Sequence, residues 1–380
     1  MRCPECNETG HERGALYCHV CGMRLEQSCI KSPKSIGRLR LEWAESFSEG
    51  LAMVTLGGKT GYIDNSGKFV IGPQFDISGN YTFGNESVFG FSDGLAPFCI
   101  GNFPDKKYGC IDRHGTIKIP AQFDCIWQFS EGFAPFRTNK NDKWGFINDK
   151  GQTVIPALYE MVAHFSEGLA VVKLERDRFA FIDKTGKVAI EKTKNIVFKW
   201  DDGFPVRKGI LQKCGSFHEG LAAIECAGKS GYINKAGSFI STNFDHTDNF
   251  SEGMAAFSIK INHISRWGYI DKRMNILIEP HFKHAGEFHE NIAVVCDDRK
   301  FGYIDKRGNI IIACVYDKAA NFKEGLAAVE INKKIGYIDI TGSVVIPPRY
   351  DQARNFSEGL AAVSENGEWG YIDKSGIYVF

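Results

Sequence analysis

The amino-acid sequence predicts an all-β repeat protein preceded by a small metal-binding segment. Three observations carry this prediction: a recurring Gly-aromatic-Ile-Asp core, a Glu-Gly-x-Ala element before it, and two Cys-x2-Cys pairs within the first 21 residues. The apolar runs that accompany the core are short and rich in β-branched and aromatic residues, as in strands, and none reaches the length of an apolar helical pattern.

The recurring core appears nine times. It reads GYID at 61, GCID at 109, GFIN at 145, AFID at 180, GYIN at 231, and GYID at 268, 302, 336 and 370. The last four copies begin 34 residues apart. A repeat of this length is typical of solenoids, propellers and other arrays in which each unit buries its apolar faces only against its neighbours.

A turn follows each copy of the core. It starts with Asp or Asn and has Gly at its fourth position in all copies but one, as in DNSG at 64 and DKSG at 373. This pattern predicts a type I turn with a left-handed fourth residue, joining two antiparallel strands. The Asp is therefore interpreted as the residue that makes the turn, rather than as a metal ligand or an acid–base group. Met274 occupies the glycine position in one copy, where it must accept a positive φ unless Asn275 takes over.

The Glu-Gly-x-Ala element, such as EGLA at 49 and 358, precedes each core; in one copy, ENIA at 290, Asn replaces the glycine. The glycine is expected to allow a positive φ before a strand, with the acid at an exposed bend.

The segment from Pro347 to Phe356 supplies a fourth extended stretch per unit, with Tyr350 and Phe356 as core anchors. The first unit begins with RLRLEWAESF, which corresponds to PRYDQARNF, and the last ends with GIYVF, which corresponds to GSVVIP. The last unit thus lacks an outer strand that the first can supply. We therefore favour a closed or nearly closed β-propeller, with an open β-solenoid as the alternative.

Residues 39–380 resemble the bacterial WG repeats, which are named after a Trp-Gly pair. That pair stands here as Trp144-Gly145, Trp267-Gly268 and Trp369-Gly370. Six copies lack the Trp, and Phe179-Ala180 also lacks the Gly, so the resemblance depends on the whole unit. It implies repeated β-structure and no particular activity.

The segment CPECNETGHERGALYCHVCG begins at Cys3. Two facing Cys-x2-Cys turns offer the four thiolates of a tetrahedral zinc site, so we predict one structural Zn²⁺ bound by Cys3, Cys6, Cys18 and Cys21. It resembles a short zinc ribbon. His11 and His19 could compete as ligands, but the four sulfurs already fill the shell. A redox dithiol, the alternative, would need a βαβ pattern nearby.

The predicted organisation is a zinc ribbon at 1–27, a basic linker at 28–38 and a nine-copy repeat domain at 39–380. Forty-six basic residues balance 46 acidic ones, so no global charge draws the chain to nucleic acid or membrane. The sequence shows no secretion signal and no apolar stretch long enough to span a membrane, which predicts a cytoplasmic protein. The cysteines outside the ribbon are then expected to be small buried hydrophobic residues.

No catalytic signature is present, so the sequence predicts a non-catalytic scaffold that binds a protein partner. Two segments, 77–91 and 191–217, break the repeat period, and insertions in repeat proteins often line the binding face. We predict a partner surface there that includes Tyr81, Phe83, Trp200, Phe204 and Arg207, unless these segments are decayed repeats with buried aromatic side chains.

Two alternatives stay open. One is a nucleic-acid-associated factor that uses the ribbon and the basic linker, with Trp43, Trp127 and Trp200 as a lesser contribution. The other is a carbohydrate-binding or hydrolytic propeller with a central funnel lined by carboxylates.

Overall fold

The structure, a computed structural model, describes residues 40–76, 90–101, 105–138, 143–174, 178–191, 215–226 and 229–380. These residues form nine antiparallel β-sheets of three or four strands each, arranged as the blades of a propeller. The predicted all-β propeller is confirmed, and the predicted zinc ribbon lies outside the described residues. Nothing in the described ranges is a helix long and apolar enough to cross a membrane.

The blades are numbered 1 to 9 in chain order. Blades 1 to 3 contain β1 (Trp43–Ala44), β2 (Ala52–Leu56), β3 (Lys59–Ile63), β4 (Phe69–Asp76); β5 (Leu95–Ile100), β6 (Lys107–Asp112), β7 (Ile117–Phe123); and β8 (Cys125–Ile126), β9 (Phe133–Arg137), β10 (Trp144–Asn148), β11 (Thr153–Tyr159). Blades 4 to 6 contain β12 (Met161–Val162), β13 (Leu169–Leu174), β14 (Arg178–Asp183), β15 (Val188–Glu191); β16 (Leu221–Cys226), β17 (Lys229–Asn234), β18 (Phe239–Ser241); and β19 (His246–Thr247), β20 (Met254–Ile261), β21 (Ile264–Asp271), β22 (Ile276–Phe282). Blades 7 to 9 contain β23 (His284–His289), β24 (Ile292–Asp297), β25 (Lys300–Asp305), β26 (Ile310–Tyr316); β27 (Lys318–Ala319), β28 (Leu326–Ile331), β29 (Lys334–Asp339), β30 (Val344–Tyr350); and β31 (Gln352–Ala353), β32 (Leu360–Glu365), β33 (Glu368–Asp373).

Each blade is a meander in which consecutive strands pair side by side. The short first strand, such as β1 or β31, lies next to the central axis. Residues at equivalent positions of neighbouring blades contact each other there: Glu45 of blade 1 binds Arg354 of blade 9, and Gln128 of blade 3 donates to the carbonyl of Gly90, 3.1 Å away. Such contacts between equivalent residues require the blades to converge, so the fourth strands form the outer wall.

The hydrophobic core lies between adjacent blades. One cluster joins Tyr269 and Phe282 of blade 6 to Phe288 and Val295 of blade 7, all of them buried. In five copies the Tyr of the repeated core is buried and its hydroxyl donates to a carbonyl in the first-strand segment of the next blade, as Tyr269 does to Gly286 at 2.8 Å. Since each blade buries its apolar faces on its neighbours, a single unit could not fold alone.

The ring closes through an outer strand built from both ends of the repeat region. On blade 9, Tyr378 pairs with Ile372 of β33, and Leu41 pairs with Trp369 by two hydrogen bonds of 3.2 and 2.9 Å. Leu41 therefore takes the position that Tyr350 holds opposite Ile335 in blade 8. The closed propeller is confirmed over the open solenoid, because the chain around Leu41 completes the blade that ends at Phe380.

The ring of Phe380 also joins the two ends. It lies over Gly67 of blade 1 so closely that a β-carbon at Gly67 would be 2.3 Å from it. In most other blades an isoleucine makes this contact with the turn glycine of the next blade, as Ile346 does with Gly376. The interface between the last and first blades thus repeats the ordinary contact with a larger side chain.

The turn after each core is confirmed. The side chain of Asp64 accepts hydrogen bonds from the N–H groups of Ser66 and Lys68, at 2.9 and 3.1 Å, and the Asp or Asn of the other copies accepts the same pair. Met274 adopts the positive φ itself, at 65°, so Asn275 does not replace it.

The prediction of a single extended stretch from Pro347 to Phe356 is wrong, because this segment is divided between two strands. The chain leaves blade 8 at Tyr350, the end of β30, and enters blade 9 at Gln352, the start of β31. Both predicted anchors, Tyr350 and Phe356, are fully buried. The division arises because the pairing partner changes: Tyr350 pairs with Ile335 of blade 8, whereas Gln352 pairs with Ser364 of blade 9.

Candidate functional site

The predicted functional residues of the sequence fall outside the described ranges. These are the four predicted zinc ligands, Cys3, Cys6, Cys18 and Cys21, and the predicted partner residues Tyr81, Phe83, Trp200, Phe204 and Arg207. Within the described residues, no group of three or more His, Cys, Asp and Glu side chains could hold a metal ion. Within the described residues, polar groups that repeat from blade to blade lie around the central axis.

At one end of the ring, the Glu-Gly elements form nine two-residue hairpins between the first and second strands. In the first of these, Ser48 and Leu51 exchange two backbone hydrogen bonds, and both central residues are left-handed, with φ of 56° at Glu49 and 82° at Gly50. Two positive φ values are the requirement of a type I′ turn, whose first position strongly favours Asn, Asp or Gly. The prediction of a positive φ at the glycine is confirmed, but the acidic residue was not expected to share it.

The nine acidic residues of these hairpins form what we call the carboxylate collar: Glu49, Asp93, Glu131, Glu167, Glu219, Glu252, Glu290, Glu324 and Glu358. Each carboxylate accepts a hydrogen bond from the backbone N–H at the glycine position of the next blade. The nine distances, in chain order of the carboxylate, are 3.0, 2.7, 3.0, 3.1, 3.1, 2.9, 2.9, 3.0 and 3.0 Å. The last joins Glu358 to Gly50, so the collar is continuous around the ring.

A serine precedes the acid in six of the hairpins and makes a second contact with the next blade. Its hydroxyl donates to the carbonyl of the buried Phe that ends the next first-strand segment, at 2.7 Å from Ser48 to Phe91 and 2.7 Å from Ser357 to Phe47. The other four serines make the same bond at 2.7 or 2.8 Å. The hairpins therefore hold neighbouring blades together. The predicted exposed bend is confirmed for Asp93, Glu219, Glu252, Glu290 and Glu358, whereas the other four acids are half-buried.

Six collar carboxylates also bind a cation from the next blade. The pairs are Glu49–Arg113, Glu131–Lys184, Glu167–Lys235, Glu219–Lys272, Glu252–Lys306 and Glu324–Lys374, at 2.8 to 3.3 Å. Each cation is the second residue of the turn that follows the repeated core. In the other three copies Asn65, Asp149 and Ile340 hold that position, so the remaining collar acids lack this cation.

These contacts favour the ionised form of four collar acids, Glu167, Glu219, Glu252 and Glu324. Desolvation raises the pKa of Glu324, but the hydrogen bonds from the Gly359 N–H and from Lys374 outweigh it, so that the pKa lies below its usual value. Glu167, Glu219 and Glu252 behave in the same way for the same reasons. A general acid at neutral pH needs a raised pKa. The collar therefore suits a structural role better than proton transfer.

We expect Glu324→Gln to destabilise the ring by about 1 kcal/mol at pH 7, because it weakens a charge-assisted hydrogen bond and an ion pair that are both partly solvated. Since the pKa of Glu324 is lowered on folding, its contribution is present above the usual pKa of 4.5 and disappears as the pH falls through the folded value. Urea unfolding at pH 7 and at about pH 3.5 measures this difference.

The matched control for that substitution is Glu279→Gln, on the exposed side of β22. It is expected to change stability little at either pH. An equal loss for Glu324→Gln at both pH values would show that the carboxylate charge contributes nothing to the collar.

A second polar cluster lies where the ring closes. The carboxylate of Glu45, 8% exposed, accepts hydrogen bonds from the indole N–H of Trp43 at 2.7 Å and from Arg354 at 3.0 Å. The Arg354 guanidinium lies over the rings of Trp43 and Trp369, at 5.2 and 5.6 Å from their centres. Burial raises the pKa of Glu45, and Arg354 and Trp43 oppose that effect. We call Glu45, Arg354, Trp43 and Trp369 the closure cluster.

A comparison with protein families identifies the repeated units. The family described as "WG containing repeat" matches residues 39–59, 61–82, 108–143, 144–176, 231–260, 267–301, 301–334 and 335–369, which together make up more than half of the chain. The chain belongs to the WG-repeat family. A comparison with curated proteins finds no match.

Solved structures show a likeness of fold. The crystal structure of a eukaryotic initiation factor is 10% identical and aligns over 90% of this chain and 95% of its own, with a TM-score of 0.58. BamB from Moraxella catarrhalis is 14% identical over 81% of this chain and 96% of its own, with a TM-score of 0.44. The Dos1 propeller is 11% identical over 74% of this chain and 90% of its own, with a TM-score of 0.40. At these identities the likeness concerns the fold alone.

The glycine of the WG pair is explained by the approach of the fourth strand. A β-carbon at Gly268 would be 2.3 Å from the carbonyl oxygen of Ile278, and one at Gly145 would be 2.5 Å from that of Ile155. The Trp lies at the end of the ring opposite the collar, where it packs on a first-strand residue. The ring centres are 4.5 Å apart for Trp144 and Trp127, and 5.3 Å apart for Trp369 and Trp43.

At that same end, four rings of the WG repeats in blades 6 and 7 follow one another. Trp267 lies 6.3 Å from His246 and 6.3 Å from His284, and His284 lies 6.0 Å from Phe301. His284 is exposed, and the other three side chains are half-buried. By contrast, Trp127 is 7% exposed. Of the tryptophans named from the sequence, Trp127 is thus buried, Trp43 is half-buried against the core, and Trp200 lies outside the described residues. The row on blades 6 and 7 includes the exposed ring of His284.

Proposed function

We propose that this WG-repeat protein is a non-catalytic scaffold that binds a protein partner through residues 39–380, with a structural zinc ribbon at residues 1–27. The observation that carries the proposal is the outer wall, whose fourth strands expose large apolar side chains. Leu158 is 58% exposed, Ile117 55% and Ile310 53%. Apolar area of this kind suits contact with another protein and offers little to a sugar or a phosphate backbone.

The collar supports a scaffold over a hydrolase. A glycosidase needs one carboxyl group as acid and another as base or nucleophile. The collar acids are instead hydrogen-bonded to the next blade, and four of them have lowered pKa values. The carbohydrate-binding or hydrolytic alternative is therefore not favoured.

The partner surface is proposed to include the two irregular segments, 77–91 and 191–217. The described chain enters the first after Asp76 of β4 and resumes at Gly90, next to the buried Phe91. It enters the second after Glu191 of β15 and resumes at Gly215, near the buried Phe217. Phe91 and Phe217 hold equivalent positions in blades 2 and 5. Both segments thus lie, in the sequence, between an outer strand and the hairpin that opens the next described blade.

The zinc ribbon is supported by its donor set alone. Four thiols in two Cys-x2-Cys pairs fit a closed tetrahedral shell, and a segment of this length depends on the metal to fold. Zinc would then order the residues ahead of the propeller and take no part in a reaction. The ribbon and the basic linker after it remain free to contribute to partner binding.

Affinity capture from cell extract tests the scaffold, with the purified full chain as bait. The double variant Trp200→Ala, Phe204→Ala is expected to lose the partner while its unfolding midpoint stays unchanged. Ile340→Ala, in an exposed turn of blade 8 outside the outer strands and both segments, is the matched control and should retain the partner. A stability loss of ~3 kcal/mol or more in the double variant would indicate buried aromatic side chains and contradict the proposed surface.

Capture and metal analysis of a second variant separate the role of the zinc ribbon from that of the repeats. Cys3→Ser, Cys6→Ser should lower the measured zinc content from about one ion per chain to none. Retained capture by this variant would assign binding to the repeats, and lost capture would assign it to the ribbon. Zinc content that does not change would contradict the metal site.

A nucleic-acid role is the second candidate, favoured by the row of His246, Trp267, His284 and Phe301. Stacked rings beside cations suit bases and phosphates, and Arg266 and Lys283 directly precede Trp267 and His284 in the chain. Nuclease treatment of the extract distinguishes the candidates. Capture that survives nuclease supports a protein partner, whereas capture that is lost supports the second candidate.

A further inference from the structure

The outer strands of the blades are open sheet edges, and most of them carry a feature that prevents pairing with another chain. Proline, which has no N–H to donate, stands at Pro73 in β4, Pro120 in β7, Pro156 in β11, Pro280 in β22 and Pro347 in β30. Proline and charged side chains are the usual protection of exposed edges.

The outer strand of blade 7 differs. β26 reads IIIACVY and contains neither proline nor a charged residue, unlike every other described outer strand of seven or more residues. Ile310 is 53% exposed, Ile311 40% and Val315 38%. The strand thus combines an unprotected edge with exposed apolar side chains.

The backbone N–H of Ala313 is suited to pair with a strand outside the blade. Ala313 corresponds to Pro120, Pro156 and Pro347 of blades 2, 3 and 8, which are paired sheets of the same form. Because proline is accepted at this position, the sheet within a blade does not need an N–H there. In blade 7 this N–H is present, and it is available to a strand outside the blade.

We propose that β26 pairs antiparallel with β26 of a second copy of this chain, about a two-fold axis at Ala313. A two-fold contact needs a surface that is complementary to itself, and an unprotected apolar edge strand meets that need. The second copy is the one partner certain to present a strand of matching length and side chains.

The charges at the two ends of β26 support this occupant. In the antiparallel pairing, residues whose numbers are equally far from Ala313 on opposite sides face each other, so Asn309 of one copy faces Asp317 of the other. Arg307 precedes β26 and is exposed, and Asp317 follows β26 directly. An Arg side chain can reach a position two residues diagonally across an antiparallel pair. Each Arg307 would then lie near the partner copy's Asp317, as a second cation beside a carboxylate that binds Lys300 and accepts from the N–H of Asn332 within its own chain and whose side chain is 36% exposed. A parallel pairing would place like charges together.

The contact is small, since one strand per copy is involved, and interfaces well below ~1,200 Å² are generally weak and transient. We therefore expect a dimer that forms in the micromolar range and dissociates on dilution. This dimer is independent of the partner capture proposed above, because it uses blade 7 and needs no other protein.

Sedimentation velocity of the purified full chain, from about 1 to about 200 µM, tests the inference. The natural chain should shift from monomer to dimer as its concentration rises. Ala313→Pro should remain monomeric throughout with an unchanged unfolding midpoint, because blades 2, 3 and 8 already carry proline at this position. A natural chain that stays monomeric, or a proline variant that dimerises as well as the natural chain, would overturn the proposal.

Two further variants keep the test decisive if the proline variant folds poorly. Ile311→Lys places a charge on the exposed face of β26 and should weaken dimerisation at least tenfold. Leu158→Lys makes the same kind of change on β11 in blade 3 and should leave dimerisation as it was. Equal effects of the two lysine variants would place the contact elsewhere.

Discussion

Deletion of residues 1–47 is expected to destabilise the last blade as much as the first. It removes β1 and Phe47 from blade 1, and it also removes Leu41 from the outer edge of blade 9. Leu41 and Phe47 are each 2% exposed, and truncation of one such side chain alone costs ~2–5 kcal/mol. We expect the free energy of unfolding to fall by more than about 5 kcal/mol in total. Amide hydrogen exchange along Trp369–Phe380 should accelerate by orders of magnitude.

Deletion of residues 1–39 is the matched control, since it leaves Leu41 and its two hydrogen bonds to Trp369 in place. Exchange in blade 9 should then match that of the full chain. Loss of protection confined to blade 1 in the longer deletion would contradict closure and favour an open array, in which damage stays near the altered end.

Arg354→Ala is expected to cost about 3–5 kcal/mol, because it leaves the carboxylate of Glu45 buried without its cation. It also removes the guanidinium that lies over the rings of Trp43 and Trp369. Glu45→Gln should cost less, since Gln is neutral and can still accept from Trp43. The double variant should be more stable than Arg354→Ala alone, and the difference measures the coupling between the two side chains. Urea unfolding curves give the change in the free energy of unfolding for all three variants.

The cost of Arg354→Ala should also depend on pH. The pKa of Glu45 is raised on folding, and loss of Arg354 removes the largest opposing contribution and raises it further. A raised folded pKa gives stability that is present below the usual value of 4.5 and is lost as the pH rises through the folded pKa. The variant should therefore lose more stability at pH 7 than at about pH 4. A cost that does not change with pH would show that the carboxylate is not the source of the penalty.

Much of the fold could be predicted from the sequence because each unit repeats its own turn and strand signals. The Asp-x-x-Gly turns, the nine copies and the match between the chain around Leu41 and the missing outer strand were all visible in the residues. Closure could be preferred because the termini of the repeat region were complementary. What the pattern could not place was the point at which one blade ends and the next begins, since Tyr350 and Gln352 are separated by a single residue.

The carboxylate collar was missed for a physical reason. Local sequence shows what a residue can do within its own unit, and an acid beside a glycine indicates a bend. The hydrogen bonds of Glu49 and its counterparts go to the next blade, which no single unit reveals. A signal was nevertheless present: Lys or Arg follows the turn-forming Asp or Asn in six copies, such as Arg113 and Lys374, and each of these binds a collar acid.

Because every link of the collar runs from one blade to the following one and the last returns to the first, no blade is terminal. An open array has two end units, each held on one side only, and these can fray independently. Here the loss of any one blade breaks two interfaces at once and leaves two new ends. Partly unfolded forms are therefore expected to be scarce, so that proteases should meet the repeat region either intact or fully opened. Limited proteolysis should accordingly show no ladder of products shortened by one unit at a time.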